Sequence, residues 1–175
     1  MKNTATIIKI SILLFLFGIF NGCDEPKEIS SYSENHWEDY YADIPTKDSL
    51  QSGKTYLSIY SHIYSFSLEK SHNLTAMVSL RNVSDVDTIY ISKADYYNTK
   101  GELIRHYFEK PIYLKPLETV EIVIDEADEH GGSGANFIFE WYTSSKTPEP
   151  LFEAIMTSLR ESQGLSFTTQ GKRIE

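Results

Sequence analysis

The residues that come nearest to a catalytic loop are the glycines and the one serine of residues 130–141, HGGSGANFIFEW. A nucleophilic serine on a sharp turn needs the pattern Gly-x-Ser-x-Gly, with a strand before the turn and a helix after it. Around Ser133, the second glycine of that pattern is replaced by Ala135, and an alternating aromatic run follows instead of a helix. The pattern therefore does not predict a nucleophile.

The same stretch also fails the two phosphate-binding patterns. The dinucleotide fingerprint needs G-x-G-x-x-G at the start of a helix, and the phosphate loop ends in Gly-Lys-Ser/Thr. Neither spacing occurs here. Glycines permit positive φ and close backbone approach, and Asn136 can hydrogen-bond the backbone of its own turn. We therefore interpret the stretch as a tight turn that feeds a strand.

Two other chemistries remain open around this turn. Ser133, His62 and Asp128 could form a hydrolytic triad, although nothing in the sequence places them together and most chains of this size offer such a set. Asp125, Asp128 and Asn136 could supply oxygens to Ca²⁺, which takes 6–8 of them. The acidic run lacks the spacing of an EF-hand, so a solvated loop is the preferred interpretation.

The remaining metal-ligating residues predict no metal site. The chain has five histidines, none of them paired at zinc-ligand spacing, and a single cysteine. We expect no metal, no cofactor and no enzymatic activity.

Five residues are candidates for binding a ligand or partner. Tyr60 and His62 fall on one side of a predicted strand, and adjacent strand residues point to opposite faces, so one of Tyr96 and Tyr97 should point outward. Exposed aromatic residues are enriched at binding surfaces. The candidates are Tyr60, His62, Tyr97, Asn136 and Glu140.

Glu140 lies between Phe139 and Trp141 in an otherwise apolar strand, and it has three interpretations. It can simply face outward. It can be half-buried, in which case it needs a partner such as Arg81 or Arg105. It can also face a ligand beside tyrosines.

The N-terminus predicts export. Residues 1–22 carry two lysines, a short apolar run and a small-residue end, as a secretion signal does. Cys23 follows directly and resembles the lipidated cysteine of a bacterial lipoprotein. Residues 23–53 are polar and would form a flexible tether, with residues 54–175 as one domain. An aromatic cluster around Trp37, Tyr40 and Tyr41 would dock on that domain, dock on a partner or belong to a loose linker.

The net charge of the chain limits the classes of partner that we expect. The chain has a formal net charge of −9, and removal of Lys2 and Lys9 with the signal takes it to −11. Such a surface repels nucleic acid. We expect a membrane contact through the lipid anchor and an envelope protein or glycan as a further partner, and we leave open which membrane holds the anchor.

The candidate residues lie in or between segments whose apolar and polar residues alternate with period 2. Half-buried strands are predicted in residues 54–66, 73–82, 119–125 and 136–142, separated by turns at 82–87, 98–101 and 115–118. This pattern predicts an all-β fold, an immunoglobulin-like antiparallel sandwich of about seven to nine strands. Residues 149–164 are ambiguous, since Leu151 to Leu159 fit either a helix or a strand.

The chain contains, in this order, the stretches YSHIY, SLRN, ADYYNTKG, PLETVEIVI, GGSGANFIFEW and GLSFTTQGKRI. Together they resemble a bacterial family of secreted and lipoprotein domains, domain of unknown function 3124. The resemblance implies a compact β-domain from Lys54 onward, a strand over residues 151–156 and a turn near Gln163 and Gly164. It implies no activity.

We expect an envelope lipoprotein that binds or scaffolds without catalysis. The alternatives are a small hydrolase using Ser133 with a histidine and a Ca²⁺-dependent adhesion module.

Overall fold

The structure is a computed structural model that describes residues 36–45, 50–160 and 163–175. Within these ranges the chain is all-β, and the predicted antiparallel sandwich is confirmed with twelve strands in place of seven to nine. The additional strands are short, such as β6, β7 and β12, which the alternation pattern does not detect. The strands are β1 (Leu50–Ile59), β2 (His62–Ser65), β3 (Ser67–Asn73), β4 (Thr75–Arg81), β5 (Ile89–Tyr97), β6 (Leu103–His106), β7 (Ile112–Leu114), β8 (Thr119–Ile124), β9 (Ala135–Ser144), β10 (Leu151–Arg160), β11 (Gln163–Gln170) and β12 (Lys172–Arg173).

The strands form two large sheets and one separate hairpin. The first sheet has the order β12-β1-β9-β5-β6, and β7 also pairs with β5. The second sheet has the order β11-β10-β4-β8, and β2 pairs with β3 in the separate hairpin. Every pairing is antiparallel.

The core lies between the two sheets, and the period-2 alternation decides which side chains enter it. In β9 every second residue from Phe137 to Trp141 is fully buried, and the same holds from Leu74 to Leu80 along β4. The rings of Phe139 and Phe152 stack across the two sheets with centroids 4.2 Å apart. These predicted inward faces are confirmed.

The segment predicted as one strand over residues 54–66 is two strands in different sheets. Tyr60 and Ser61 separate β1 from β2. Ser61 is fully buried: its N–H donates to the carbonyl of Gly132, and its own carbonyl accepts from the N–H of Leu74. These bonds turn the chain out of the first sheet. The alternating pattern around Ser61 does not predict them.

The ambiguous segment is a strand. β10 runs from Leu151 to Arg160 and buries Phe152, Ala154 and Met156, so the strand implied by the resemblance is confirmed. β11 already begins at Gln163, so the chain reverses just before the position predicted for the turn.

The described chain starts to pack before Lys54. Trp37 is 8% exposed, with its ring 5.5 Å from that of Phe108, and Tyr41 bridges to Ile112. β1 begins at Leu50, so part of the segment expected as tether lies on the sandwich. Residues 1–22 and Cys23 fall outside the described ranges. Within those ranges, no helix has the length and apolar character needed to cross a membrane.

Candidate functional site

Two β-hairpins project from the same end of the sandwich, which we call the hairpin end. β10 pairs with β4 as far as Thr157, opposite Thr75, and then continues, paired only with β11, to Arg160. Hairpin β2–β3 rises between Ser61 and Leu74, next to the start of β4. Both hairpins therefore extend past the end of the core.

A groove separates the two hairpins. Its volume is about 330 Å³. Apolar side chains lie on both walls, with histidine, serine and glutamine groups beside them. The lining residues are Ile63, Tyr64, Ser65 and His72 from one hairpin and Ser158, Gln163, Gly164 and Leu165 from the other.

Large apolar side chains stand in solvent around this groove. Phe66 is 101% exposed, Leu68 84%, Leu159 83% and Tyr64 52%. Single exposed apolar residues are common on soluble proteins, but a group of them on adjacent projections is typical of an interaction site. The sandwich gains no burial from these side chains, so the fold by itself does not explain them.

Phe66 also has a backbone conformation that disfavours its side chain. It is the single residue between β2 and β3, and its φ is 67°. Positive φ is uncommon outside glycine and asparagine, and it costs a residue with a Cβ roughly 1–2 kcal/mol. The apex of the hairpin therefore holds an aromatic ring in solvent on a strained backbone.

A buried ion pair fixes the loop beside hairpin β2–β3. Asp128 is fully buried; one carboxylate oxygen lies 3.0 Å from Nη2 of Arg105, and the other lies 2.8 Å from Nδ1 of His130. Burial alone would raise the pKa of Asp128, but the hydrogen bonds from His130 and Arg105 outweigh it and the pKa lies below its usual value. Burial opposes the charge of Arg105, yet Tyr107 and Asp128 raise the pKa of its guanidinium.

The glycine-rich stretch is a structural turn, as we interpreted it. Gly132–Gly134 form one 3₁₀ turn that feeds β9, and Gly132 has a φ of 77°. A Cβ on Gly131 would lie 1.9 Å from the hydroxyl of Tyr96 and 2.6 Å from that of Ser61. Those two hydroxyls are hydrogen-bonded to each other at 3.0 Å, and burial raises the pKa of Tyr96. The glycine is required by close packing.

The hydrolytic triad is not assembled. Both carboxylate oxygens of Asp128 are occupied by Arg105 and His130, so Asp128 does not orient His62. The same pairing disfavours Asp128 as a Ca²⁺ ligand. Over the described part of the chain, no three His, Cys, Asp or Glu side chains are grouped to hold a metal ion.

Comparison with known proteins identifies the family. The model of the family described as "Protein of unknown function (DUF3124)" matches residues 52–174. The chain belongs to this family. No curated protein matches the chain significantly. The crystal structure of Thermotoga maritima 1070 is similar to this DUF3124 chain with a TM-score of 0.45 and 11% identity, covering 69% of this chain and 92% of that one.

Four of the five candidate binding residues of the DUF3124 domain lie toward the hairpin end. Tyr60 packs half-buried against the ring of Phe167 at 5.7 Å, and His62 lies on β2 with its ring against that of Tyr64. Tyr97 and Asn136 are register partners where β5 and β9 end, and the alternation of β9 turns Asn136 to the outer face of the first sheet.

Glu140 lies apart, halfway along the outer face of β9. Its carboxylate is 3.0 Å from Nζ of Lys93 and 4.0 Å from Nζ of Lys54. The partners suggested from the sequence are engaged elsewhere, Arg81 with Glu153 and Arg105 with Asp128. Glu140 therefore faces outward in a surface ion pair, which contributes little to stability.

The most exposed residues of the site are not among the five predicted candidates. Tyr64, Phe66 and Leu68 alternate with polar residues, which is also the pattern of a strand that faces a core. The available signal was the polar run 69–73 directly after Leu68, because a buried strand would continue its apolar face there.

Proposed function

We propose that this DUF3124 domain is a non-enzymatic binding or scaffolding module of the bacterial envelope and that its contact surface is the hairpin end. The observation that carries this proposal is the exposure of Phe66, Leu68 and Leu159, each above 80%, on two hairpins that flank one groove. Burying such side chains against a partner yields about 25 cal/mol per Å² of apolar area. A protein surface suits apolar walls better than a glycan does.

Binding is favoured over catalysis by the way the polar groups are used. Asp128 pairs with Arg105 within the described structure, and Tyr96 bonds to Ser61. Groups committed in this way hold a loop in place. A general base or nucleophile must instead keep an atom within hydrogen-bond reach of a substrate.

The position of His36 supports a contact surface that faces away from the anchor. His36 lines a shallow cavity with Thr119 and Glu121 of β8, at the opposite end of the sandwich. From there to Arg160 the strands rise by roughly 30 Å at about 3.3 Å per residue. The sequence predicts a tether that would include the 12 residues between Cys23 and His36, and a flexible chain of that length spans about 20 Å on average. A lipid on Cys23 would thus leave the hairpin end pointing away from the bilayer.

The contact surface is tested by crosslinking the full-length protein in cells, comparing wild type with Phe66→Ser and Val86→Ser. Val86 is 74% exposed in the loop between β4 and β5, at the opposite end of the sandwich. We expect one partner that is recovered with wild type and Val86→Ser and is depleted at least fivefold with Phe66→Ser. Equal recovery with all three proteins would refute the hairpin end as the contact surface.

The anchor is tested separately by fractionation. The wild-type protein should sediment with membranes and Cys23→Ala should not, because several acyl chains hold a protein firmly to a bilayer and a chain without them is released. Equal membrane association of both proteins would remove the lipid anchor from the proposal and leave the binding module in place.

A further inference from the structure

The groove between the two hairpins has apolar walls, and the residues around it are predominantly acidic. From this we infer that it binds an apolar side chain carried by a positively charged segment of a partner protein. This inference rests on the proposed function and names the chemistry of the partner.

The groove has an apolar surface that can bind a side chain. Ile63 and Leu165 approach it from opposite hairpins, and Leu165 is 41% exposed although it points to the same side as the core-facing residues of β10. Ile63 is part of the fringe of the core, so this wall is fixed. An apolar side chain that enters here replaces water against Ile63 and Leu165 without moving the sandwich.

The charges around the hairpin end are predominantly acidic. Among the described residues there, five carboxylates stand against two lysines and Arg160, and Arg105 and Asp128 cancel each other, so the formal charge is −2. The hairpin end shares the sign of the whole chain, at −9. The carboxylates are Glu69, Glu102, Asp125, Glu126 and Glu129, and the cations are Lys70, Lys100 and Arg160.

The loop 125–129, which carries three of these carboxylates, is hydrogen-bonded to hairpin β2–β3. The side-chain amide of Asn73, at the end of β3, donates to the carboxylate of Glu129, and the N–H of Ser61 donates to the carbonyl of Gly132. Glu126 and Glu129 are exposed. The negative potential therefore lies within one or two Debye lengths of the groove, where it steers a cationic partner toward it.

The same charges argue against the two other occupants. A second copy would bring another −2 against this surface, and like charges at an interface are costly. An anionic lipid surface is repelled for the same reason, and the anchor at Cys23 would hold the bilayer at the opposite end. A partner that is apolar at its centre and basic around it satisfies both features.

The inference is tested with fluorescence-labelled ten-residue peptides and the full-length protein, by anisotropy titration at low and high salt. One peptide alternates lysine and leucine, the second glutamate and leucine, the third lysine and serine. We expect binding of the lysine–leucine peptide alone, weakened at high salt because the charges are screened. Leu165→Ser should weaken it about tenfold, the effect of losing one well-buried apolar contact.

Matched variants separate the groove from general attraction to an acidic protein. Val86→Ser and Asp85→Asn change the opposite end and should leave the affinity unchanged, whereas Glu126→Gln should lower it at low salt only. Equal binding of the glutamate–leucine peptide, or equal affinity of Leu165→Ser and wild type, would overturn the inference.

The other occupants have their own readouts. Leu165-dependent binding to phosphatidylcholine vesicles, or a Leu165-dependent dimer in sedimentation velocity, would assign the groove to lipid or to a second copy and refute the cationic partner. A Phe66-dependent partner from crosslinking that presents no basic surface would leave the proposed function intact and refute this inference alone.

Discussion

Replacing Phe66 by asparagine should stabilise the protein although it removes a large apolar side chain. Phe66 is fully exposed, so its loss leaves no cavity and forfeits no burial. Its φ of 67° lies in the left-handed region, which costs a residue with a Cβ about 1–2 kcal/mol and which asparagine tolerates better than most residues. Because asparagine relieves only part of that cost, we expect a gain of about 0.5–1 kcal/mol in the free energy of unfolding.

The gain is measured by urea denaturation followed by tryptophan fluorescence, since Trp141 is fully buried and reports loss of the core. Phe66→Ala is the matched control, because it removes the ring and keeps the strained backbone. Its midpoint should equal that of wild type, and Phe66→Asn should lie above both. A loss of more than about 1 kcal/mol in either variant would mean that the ring is packed, and the reasoning from exposure and strain would be wrong.

Two further predictions concern the base of the hairpin end. Gly131→Ala should lower the free energy of unfolding by about 1–3 kcal/mol, since its Cβ would overlap the hydroxyls of Tyr96 and Ser61. Gly134→Ala is the control, because a Cβ there meets only ordinary contacts. Equal urea midpoints for the two variants would contradict this prediction. Asp128→Asn should cost about 3 kcal/mol at pH 7, because it removes the carboxylate that neutralises the largely buried guanidinium of Arg105. Because the folded-state pKa of Asp128 is lowered, the stabilisation by its carboxylate is full above about pH 4 and is lost as the pH falls toward the folded-state pKa. The urea midpoint should therefore fall more steeply with acid in wild type than in Asp128→Asn. Parallel curves for the two proteins would contradict this prediction.

The strands of the core could be predicted from the sequence because one local rule decides them. In β9 the residues from Phe137 to Trp141 alternate between the core and the solvent, and a period of two is visible without any knowledge of neighbouring strands. The same rule identified the faces of β4 and β8. The segment 151–160 fits both periods, so the residues alone did not decide it, and the family resemblance did.

The contacts that shape the site depend on residues far apart in the chain. Asp128 and Arg105 are 23 residues apart, and Ser61 and Tyr96 are 35 apart. Each residue taken alone is an ordinary polar residue of a loop or strand, so no local pattern announces the pair. Trp37 likewise packs against Phe108, which lies 71 residues further along the chain.

The most informative failure of the period-2 rule occurs at Phe66. Alternation predicts one strand of the sandwich over residues 54–66, yet the chain leaves the first sheet at Ser61 and holds Tyr64, Phe66 and Leu68 in solvent. The base of the hairpin is fixed by buried hydrogen bonds at Ser61 and by the paired Asp128 beside it. A fixed base under an exposed apolar apex limits the conformational entropy that is lost on binding. Local sequence rules that the fold contradicts are expected at functional sites, and here the contradiction falls on the surface that we propose binds a partner.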